Sequence, residues 1–345
     1  MLHLKRYSNV INLDHSKFSA SYAQSKGQVK YMMLRKKEKD PDCTFKTLAK
    51  KDFHHNWQLY IMIFPILVYF FLFSYMPMVG LLGAFQDLSP ALGVFKSTFV
   101  GLKNFQDFFD SYYFGMLIRN TLQISFSVLV FAFPCPIILA LLLNEVRNKK
   151  YKNTIQTISY LPFFISMVVI CGLIKNFTAS DGMVMHILSN FGVKQQNLLA
   201  NPNLFRPIYV ISDIWQNVGF RSILYLAALS GVNQELYEAA VIDGAGRLKQ
   251  TFYITLPGIA STIIIMLILE IGGLFNVGYE KIILLQNNMN METSDVIQTF
   301  VYRKGLMEAN YGYSTAVGFF NSVVNTILLV SANWFSKKIS ETSLF

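Results

Sequence analysis

The chain has 345 residues, of which 53% are hydrophobic and only 14% are charged, and its mean hydropathy is +0.37. This composition excludes a single soluble core and predicts an all-α polytopic membrane protein. The net charge is +10, but nucleic-acid binding would need a folded basic domain, and no part of the chain has that pattern.

The first 57 residues are a basic segment that precedes the first apolar run. They contain twelve Lys or Arg and five acidic residues, without the apolar core and cleavage site of a signal peptide. We therefore expect residues 1–57 to be a cytoplasmic tail that attracts anionic lipid. A membrane domain is expected over residues 58–336, followed by a short cytoplasmic tail, residues 337–345.

Apolar segments long enough to span a bilayer follow the basic tail. The six predicted spans are residues 59–82, 120–143, 155–174, 207–228, 258–277 and 315–335. The aromatic segment 84–119 is expected to lie at the outer interface instead of spanning.

The distribution of basic residues sets the orientation of these spans. The loop 144–152 carries four basic residues in nine positions, which is typical of a cytoplasmic loop. With the N-terminus inside, 20 Lys and Arg lie on the predicted inner side and nine on the outer side. Both termini are therefore expected in the cytoplasm.

A polar island, residues 234–257, separates the fourth and fifth spans. Its first half, residues 234–242, is rich in helix formers, and Gly244 follows as a stop because glycine tolerates a left-handed C-terminal position. A second helix is expected from near Ala245 to Thr255, with Pro257 at the start of the next helix. The pattern predicts a helix-turn-helix on the cytoplasmic surface.

The island resembles the EAA motif of ABC-importer permeases. The positions that fit its spacing are Glu238, Ala239, Ala240, Gly244, Ile254, Leu256 and Pro257, and Asp243 and Ala245 flank the glycine. The resemblance implies that these nine residues couple the chain to a separate ATPase subunit.

Nucleotide chemistry is not expected in this chain, which has no Gly-x-x-x-x-Gly-Lys-Ser/Thr phosphate loop. The resemblance therefore assigns ATP and Mg to partner ATPase subunits. We expect no catalytic residue, no metal site and no cofactor of the chain's own, and hence no enzyme activity.

Charged residues within the spans are the second clue to function. Asp213, Asn217 and Arg221 lie at i, i+4 and i+8 and form a polar stripe on the fourth span. A charge at the centre of a membrane helix costs about 2.5 to 3.5 kcal/mol, so the stripe must face protein or water. Glu270 on the fifth span is expected at a depth where it can meet Arg221.

Two interpretations of these residues stay open. One is a structural salt bridge, and the other is a polar path for a hydroxylated solute. The candidate path residues are Asp213, Trp215, Asn217, Arg221, Glu270, Asn276, Tyr279, Glu280 and Asn321, with Asn325 beside them. Aromatic faces suit the C–H surfaces of a sugar, while amides and carboxylates bind its hydroxyls.

The order of elements over roughly residues 55–340 resembles that of carbohydrate-importer permeases similar to the maltose permease. The stretches 278–280, 294–297, 301–303 and 315–318 resemble the polysaccharide or complex-oligosaccharide branch of that family. The resemblance implies one permease of a heterodimer in a prokaryotic plasma (inner) membrane. It also implies two ATPase subunits, an extracellular solute-binding protein and alternating access.

Other functions remain possible on the sequence alone. Within the same class, the solute could be a peptide or an amino acid, because the EAA motif is shared across importers. A membrane-embedded enzyme such as a glycosyltransferase would need clustered carboxylates in a sizeable loop or a metal site. A secondary transporter would leave the island unexplained.

Overall fold

The computed structural model describes residues 52–340 and 344. The predicted basic tail therefore lies outside the described residues except for positions 52–57, and so do residues 341–343 and 345 of the predicted tail 337–345. The described residues divide into two compact units, which meet in the chain between residues 76 and 77.

The first unit contains helix α1, Trp57–Phe70, which continues as a π-helical turn, Phe71–Tyr75. Pro65 lies inside α1. The helical stretch Trp57–Phe85, which ends in the 3-10 segment Met76–Phe85, is long and apolar enough to cross a membrane. This agrees with the predicted span at residues 59–82.

The second unit begins with a small antiparallel ladder in which Gln86 pairs with Phe99. Its elements up to residue 189 are β1 (Gln86–Asp87), β2 (Thr98–Phe99), α2 (Lys103–Phe109), α3 (Tyr113–Ser127), α4 (Pro134–Glu145), α5 (Lys149–Tyr160), α6 (Met167–Thr178) and α7 (Met183–Ser189). A π-helical turn, Val128–Ala132, connects α3 to α4.

The rest of the second unit is helical. Its helices are α8 (Pro202–Ser230), α9 (Gln234–Ile242), α10 (Arg247–Gln250), α11 (Leu256–Gly258), α12 (Ala260–Gly272), α13 (Tyr279–Leu285), α14 (Met291–Ser294), α15 (Ile297–Tyr302) and α16 (Tyr311–Ser340). The π-helical turns Thr251–Thr255 and Arg303–Met307 join α10 to α11 and extend α15.

Helix α8 is at the centre of the second unit, where it packs against α4 and α5, while α12 packs against α16. The contact between α8 and α5 depends on Gly219, because a Cβ at that position would overlap the backbone carbonyl of Ser159. Small residues permit such close backbone approach between membrane helices.

The second predicted span begins earlier than residue 120. A helical stretch that can cross a membrane runs from Tyr113 to Glu145. The last residues of segment 84–119 therefore belong to this helix, while the interfacial position of the segment stays a prediction. Phe114 and Leu117 begin the spanning helix and pack in an apolar cluster with Phe108.

The third predicted span, residues 155–174, is wrong as a single helix. Helix α5 ends at Tyr160 and is followed by a 3-10 turn, Leu161–Phe164. The backbone is extended at Ile165 and Ser166 before α6 begins. Pro162 in the 3-10 turn has no N–H to donate to the preceding turn, which is a physical reason for the break.

The fifth predicted span, residues 258–277, is wrong at both ends. The helical stretches Arg247–Gly258 and Ala260–Gly272 meet at an angle of 62°, and Ile259 between them lies outside the helical region of backbone space. Helix α12 ends at Gly272, and residues 273–278 are not helical. The glycines at 272 and 273 favour this end because glycine is a poor helix former.

The all-α membrane class is confirmed, but the count of six spans stays a prediction. Within residues 52–340, four helices are long and apolar enough to cross a membrane, or five with the bent pair. Helix α8 has 29 residues yet does not belong to that set, since it carries the polar stripe.

Candidate coupling site and solute pathway

The predicted island folds as a helix, a glycine turn and a helix. The side chain of Asn233 caps α9 by accepting a hydrogen bond of 3.0 Å from the N–H of Glu235. Gly244 has a positive φ of 73°, and the N–H of Ala245 donates to the carbonyl of Ala240 at 2.8 Å. The glycine therefore closes α9 in the left-handed conformation that the sequence predicts.

The second half of the island begins later than expected, at Arg247, and continues through Thr255 into α11. Tyr237 on α9 and Thr255 share a side-chain hydrogen bond of 2.9 Å. Ile254 packs on a buried cluster that includes Tyr225 of α8. The hydrogen bond therefore joins the two halves of the island, and the packing of Ile254 holds the island against α8.

The outer surface of the island presents exposed side chains. Glu238, Ala239, Asp243, Gly244 and Pro257 are exposed, whereas Ala240, Ala245, Ile254 and Leu256 are half-buried. Ile242 at the end of α9 is 86% exposed.

The polar stripe on α8 forms as expected. Asn217 donates a hydrogen bond of 2.8 Å to the carboxylate of Asp213. The predicted meeting of Arg221 and Glu270 is confirmed, with 3.6 Å between Nη1 and Oε1. Both side chains are about one third exposed, so water screens this pair and its contribution to stability is small.

A first cavity of about 260 Å³ adjoins this stripe. Asp213, Arg221, Glu270 and Asn276 line it, as does Lys281 from α13. The sequence analysis missed Lys281. It follows the recognised stretch 278–280 and precedes an apolar run, and that placement is the signal that could have found it.

A second cavity of about 570 Å³ also has Asn276 in its wall. Asn276, Tyr279 and Asn321 were predicted for the solute path, and all three line it. Its wall includes further hydroxyl and amide groups that the sequence did not single out: Gln298, Tyr302, Tyr311 and Ser314.

Asn276 is the residue that the two cavities share. Its Oδ1 accepts hydrogen bonds from the side-chain amides of Gln298, Asn321 and Asn325 at 2.9, 3.0 and 3.1 Å. Asn325 in turn accepts from the N–H of Phe275 at 3.0 Å. Side chains of α16 therefore hydrogen-bond with the non-helical segment 273–278, as backbone inside a membrane requires.

Three of the nine predicted path residues line neither cavity, and neither does Asn325. Trp215 is 45% exposed on the surface of α8. Asn217 acts through its hydrogen bond to Asp213, and Glu280 is exposed on α13. Within the described part of the chain, no group of three or more His, Cys, Asp or Glu side chains could hold a metal ion.

Comparison with known proteins places this arrangement in a family. Residues 132–341 match the family described as "Binding-protein-dependent transport system inner membrane component". The chain is 46% identical to "Protein LplB" of Bacillus subtilis (strain 168), over 83% of this chain and 91% of that protein.

A second relative carries a more specific name. The chain is 42% identical to the "Polygalacturonan/rhamnogalacturonan transport system permease protein YteP" of Bacillus subtilis (strain 168), over 91% of this chain and 96% of the relative.

Two solved structures share the fold. One is the crystal structure of a bacterial ABC transporter involved in the import of the acidic polysaccharide alginate, with a TM-score of 0.79 and 43% identity. The match covers 85% of this chain and 99% of that one. The other is the bacterial alginate ABC transporter in complex with an alginate pentasaccharide-bound periplasmic protein, with the same TM-score and identity.

Proposed function

We propose, from the premise that this chain belongs to the family of binding-protein-dependent transport system inner membrane components, that it is a permease subunit of an ATP-driven importer of oligosaccharides. The observation that carries the solute class is the second cavity, whose wall combines tyrosine rings with amide and hydroxyl groups. Such walls suit a polyhydroxylated solute. The named relatives also favour carbohydrate over peptide or amino acid.

Asn321 gives the second cavity an unused hydrogen-bonding group. Its Oδ1 is buried and accepts no hydrogen bond within the described structure, although its amide nitrogen donates to Asn276. A buried acceptor without a partner costs about 1–3 kcal/mol. A sugar hydroxyl that donates to this oxygen would remove that cost, which supports a place for Asn321 on the solute path.

The chain itself is a transport component and not an enzyme. ATP and Mg belong to partner ATPase subunits, on which the exposed face of the island docks. Glu238 supplies charge there, and Ile242 supplies an apolar contact. ATP binding brings the two ATPases together, the docked islands follow, and the membrane helices move between outward-open and inward-open states.

The remaining partners follow from the same assembly. A solute-binding protein delivers the sugar from outside; the alginate transporter that shares this fold is likewise in complex with a pentasaccharide-bound periplasmic protein. A second, different permease completes the path. We place the chain in the inner (plasma) membrane of a prokaryote with both termini in the cytoplasm, because its basic residues concentrate on that side.

Affinity purification of the tagged chain in mild detergent, followed by mass spectrometry, tests the assembly. Recovery of an ATPase and a second permease is the expected result. Recovery of the folded chain alone would count against the coupling assignment.

Replacement of Gly244 tests the island itself. Gly244→Glu forces a side chain onto a residue with a φ of 73°, so we expect loss of solute-stimulated ATP hydrolysis while the chain remains in the membrane. Gly246→Ala is the matched control, since Gly246 has an ordinary φ of −70° and open space at its Cβ position. Normal coupling in Gly244→Glu would refute the assignment.

A further inference from the structure

Lys281 is a buried cation that shares its cavity with the carboxylate of Asp213 but forms no direct ion pair with it. Its side chain lines the first cavity, and the residue is 2% exposed. Its Nζ donates one long hydrogen bond of 3.5 Å to the carbonyl of Tyr209 and lies 4.9 Å from the centre of that ring. It forms no ion pair with any carboxylate in the described structure.

The surroundings of Lys281 leave most of its hydrogen-bond donors without a partner. An ammonium group has three N–H donors, and only one has a partner here. A buried charge is costly unless it is paired and hydrogen-bonded. The other cation of the cavity, Arg221, already faces Glu270. Lys281 is therefore the cation that remains for a ligand.

Asp213 offers a complementary group in the same cavity. Its Oδ1 accepts from Asn217, but its Oδ2 is buried and has no hydrogen-bond partner within the described residues. The cavity thus presents an unused cationic donor and an unused anionic acceptor. The ligand that satisfies both has an anionic group and a hydroxyl.

We propose that the first cavity is a subsite for a uronic acid unit of an acidic oligosaccharide. The sugar carboxylate binds the ammonium of Lys281, and a ring hydroxyl donates to Oδ2 of Asp213. The inference rests on the proposed function and narrows its solute class. A volume of about 260 Å³ equals that of about nine waters at roughly 30 Å³ each, which is sufficient for one sugar ring.

Neutral and acidic sugars differ in the interaction that they can form with Lys281. A neutral hydroxyl can accept a hydrogen bond from Lys281 but supplies no charge for a direct ion pair with the ammonium, which has none in the described structure. A carboxylate compensates the charge and accepts a short, charge-assisted hydrogen bond, which is about twice as strong as a neutral one. Lys281 therefore favours the acidic form of an otherwise identical solute.

The experiment compares matched solutes in the complete importer, reconstituted in proteoliposomes with its ATPases, second permease and binding protein. The probes are a galacturonate trisaccharide and an alginate trisaccharide, each with its methyl ester as the neutral counterpart, together with a neutral oligosaccharide. The measurement is the ratio of uptake, acid over ester, for each pair. Solute-free ATP hydrolysis reports whether each variant assembles.

We expect wild-type protein to import at least one acid probe in preference to its ester. Lys281→Met should lower that ratio at least tenfold, and Lys281→Arg should retain most of it because the charge remains. Lys337→Met is the matched control, because Lys337 is an exposed lysine near the end of α16. Its ratio should equal that of the wild type.

Three results would overturn the subsite. The first is an equal loss of acid and ester uptake in Lys281→Met, which is the signature of a merely structural lysine. The second is an unchanged ratio in an assembled Lys281→Met importer. The third is import of the neutral oligosaccharide with no preference for any acid probe, which leaves the proposed function intact. Absence of all saccharide uptake by an assembled wild-type importer would overturn both proposals.

Discussion

Removal of one partner from the ion pair between Asp295 and Arg303 should be among the most destabilising polar substitutions in the second unit. Arg303 binds both carboxylate oxygens, at 3.2 and 2.6 Å, and Thr299 donates to the same carboxylate at 2.7 Å. The Asp295 side chain is only 1% exposed. Arg303→Met therefore leaves a buried carboxylate without its cation.

Loss of one partner from a buried pair costs about 3–5 kcal/mol. The Arg303 side chain is 23% exposed, so some water can reach the vacated space, and the lower end of that range applies. At about 2 °C per kcal/mol for a large domain, the melting temperature of the purified protein should fall by roughly 6 °C.

The neighbouring pair between Lys304 and Glu308 is the internal control. Its N–O distance is also 2.6 Å, but its side chains are 27% and 46% exposed. An exposed i,i+4 pair contributes about 0.3–0.5 kcal/mol, so Lys304→Met should shift the melting temperature by about 1 °C. The assay is thermal unfolding in detergent, followed by intrinsic fluorescence.

A double variant separates the cost of an unpaired buried charge from the loss of the ion-pair contact. Asp295→Asn combined with Arg303→Met removes both charges and should be more stable than Arg303→Met alone, since no unpaired charge remains. If Arg303→Met and Lys304→Met lowered the melting temperature equally, the argument from burial would be refuted.

Three further substitutions probe packing, the path and the island. Gly219→Leu should abolish recovery of monodisperse protein in size-exclusion chromatography, because the leucine side chain would meet the backbone of Ser159. The control is Gly172→Ala, which has open space at its Cβ position and should be recovered normally. Normal recovery of both variants would contradict the close packing at Gly219. Asn276→Leu should reduce solute uptake at least tenfold in an assembled importer, because three side-chain amides lose their hydrogen-bond acceptor. Asn276→Asp keeps an acceptor, so its uptake should fall less. Equal losses of uptake in the two variants would count against this reasoning. Arg247→Glu should change the free energy of unfolding by less than about 1 kcal/mol, because the paired side chains of Arg247 and Glu145 are 66% and 51% exposed. A larger change, measured by chemical denaturation, would show that the ion pair is stronger than its exposure implies.

Local signals in the sequence were sufficient to predict the structure of the island and of the charged stripe on α8. The glycine stop at Gly244 and the cap at Asn233 each depend on one residue's own backbone or side chain, so their geometry could be predicted. The meeting of Arg221 and Glu270 followed from helical rise and the cost of an unpaired charge in a membrane. These properties do not require knowledge of the tertiary fold.

The errors lie where tertiary contacts decide. Ile165 and Ser166 belong to an apolar run that reads as helix, yet the backbone is extended there. Asn325 and Ser125 supply hydrogen bonds to the backbone of the non-helical segment 273–278. The position of Lys281 before an apolar run is visible in the sequence, but its burial against Tyr209 is set by the tertiary fold. Hydropathy alone contains none of this information.

The polarity of α8 has a consequence for biogenesis. The helix has 29 residues, but Asp213 and Arg221 make its separate insertion into lipid unfavourable by about 2.5 to 3.5 kcal/mol per charge at the helix centre. Glu270, the counter-charge of Arg221, is synthesised later, after the whole of α8 and the island. The nascent helix therefore depends on shelter from α4, or from the insertion machinery, until α12 arrives. Slow or interrupted synthesis between residues 230 and 270 should expose α8 to quality-control proteases.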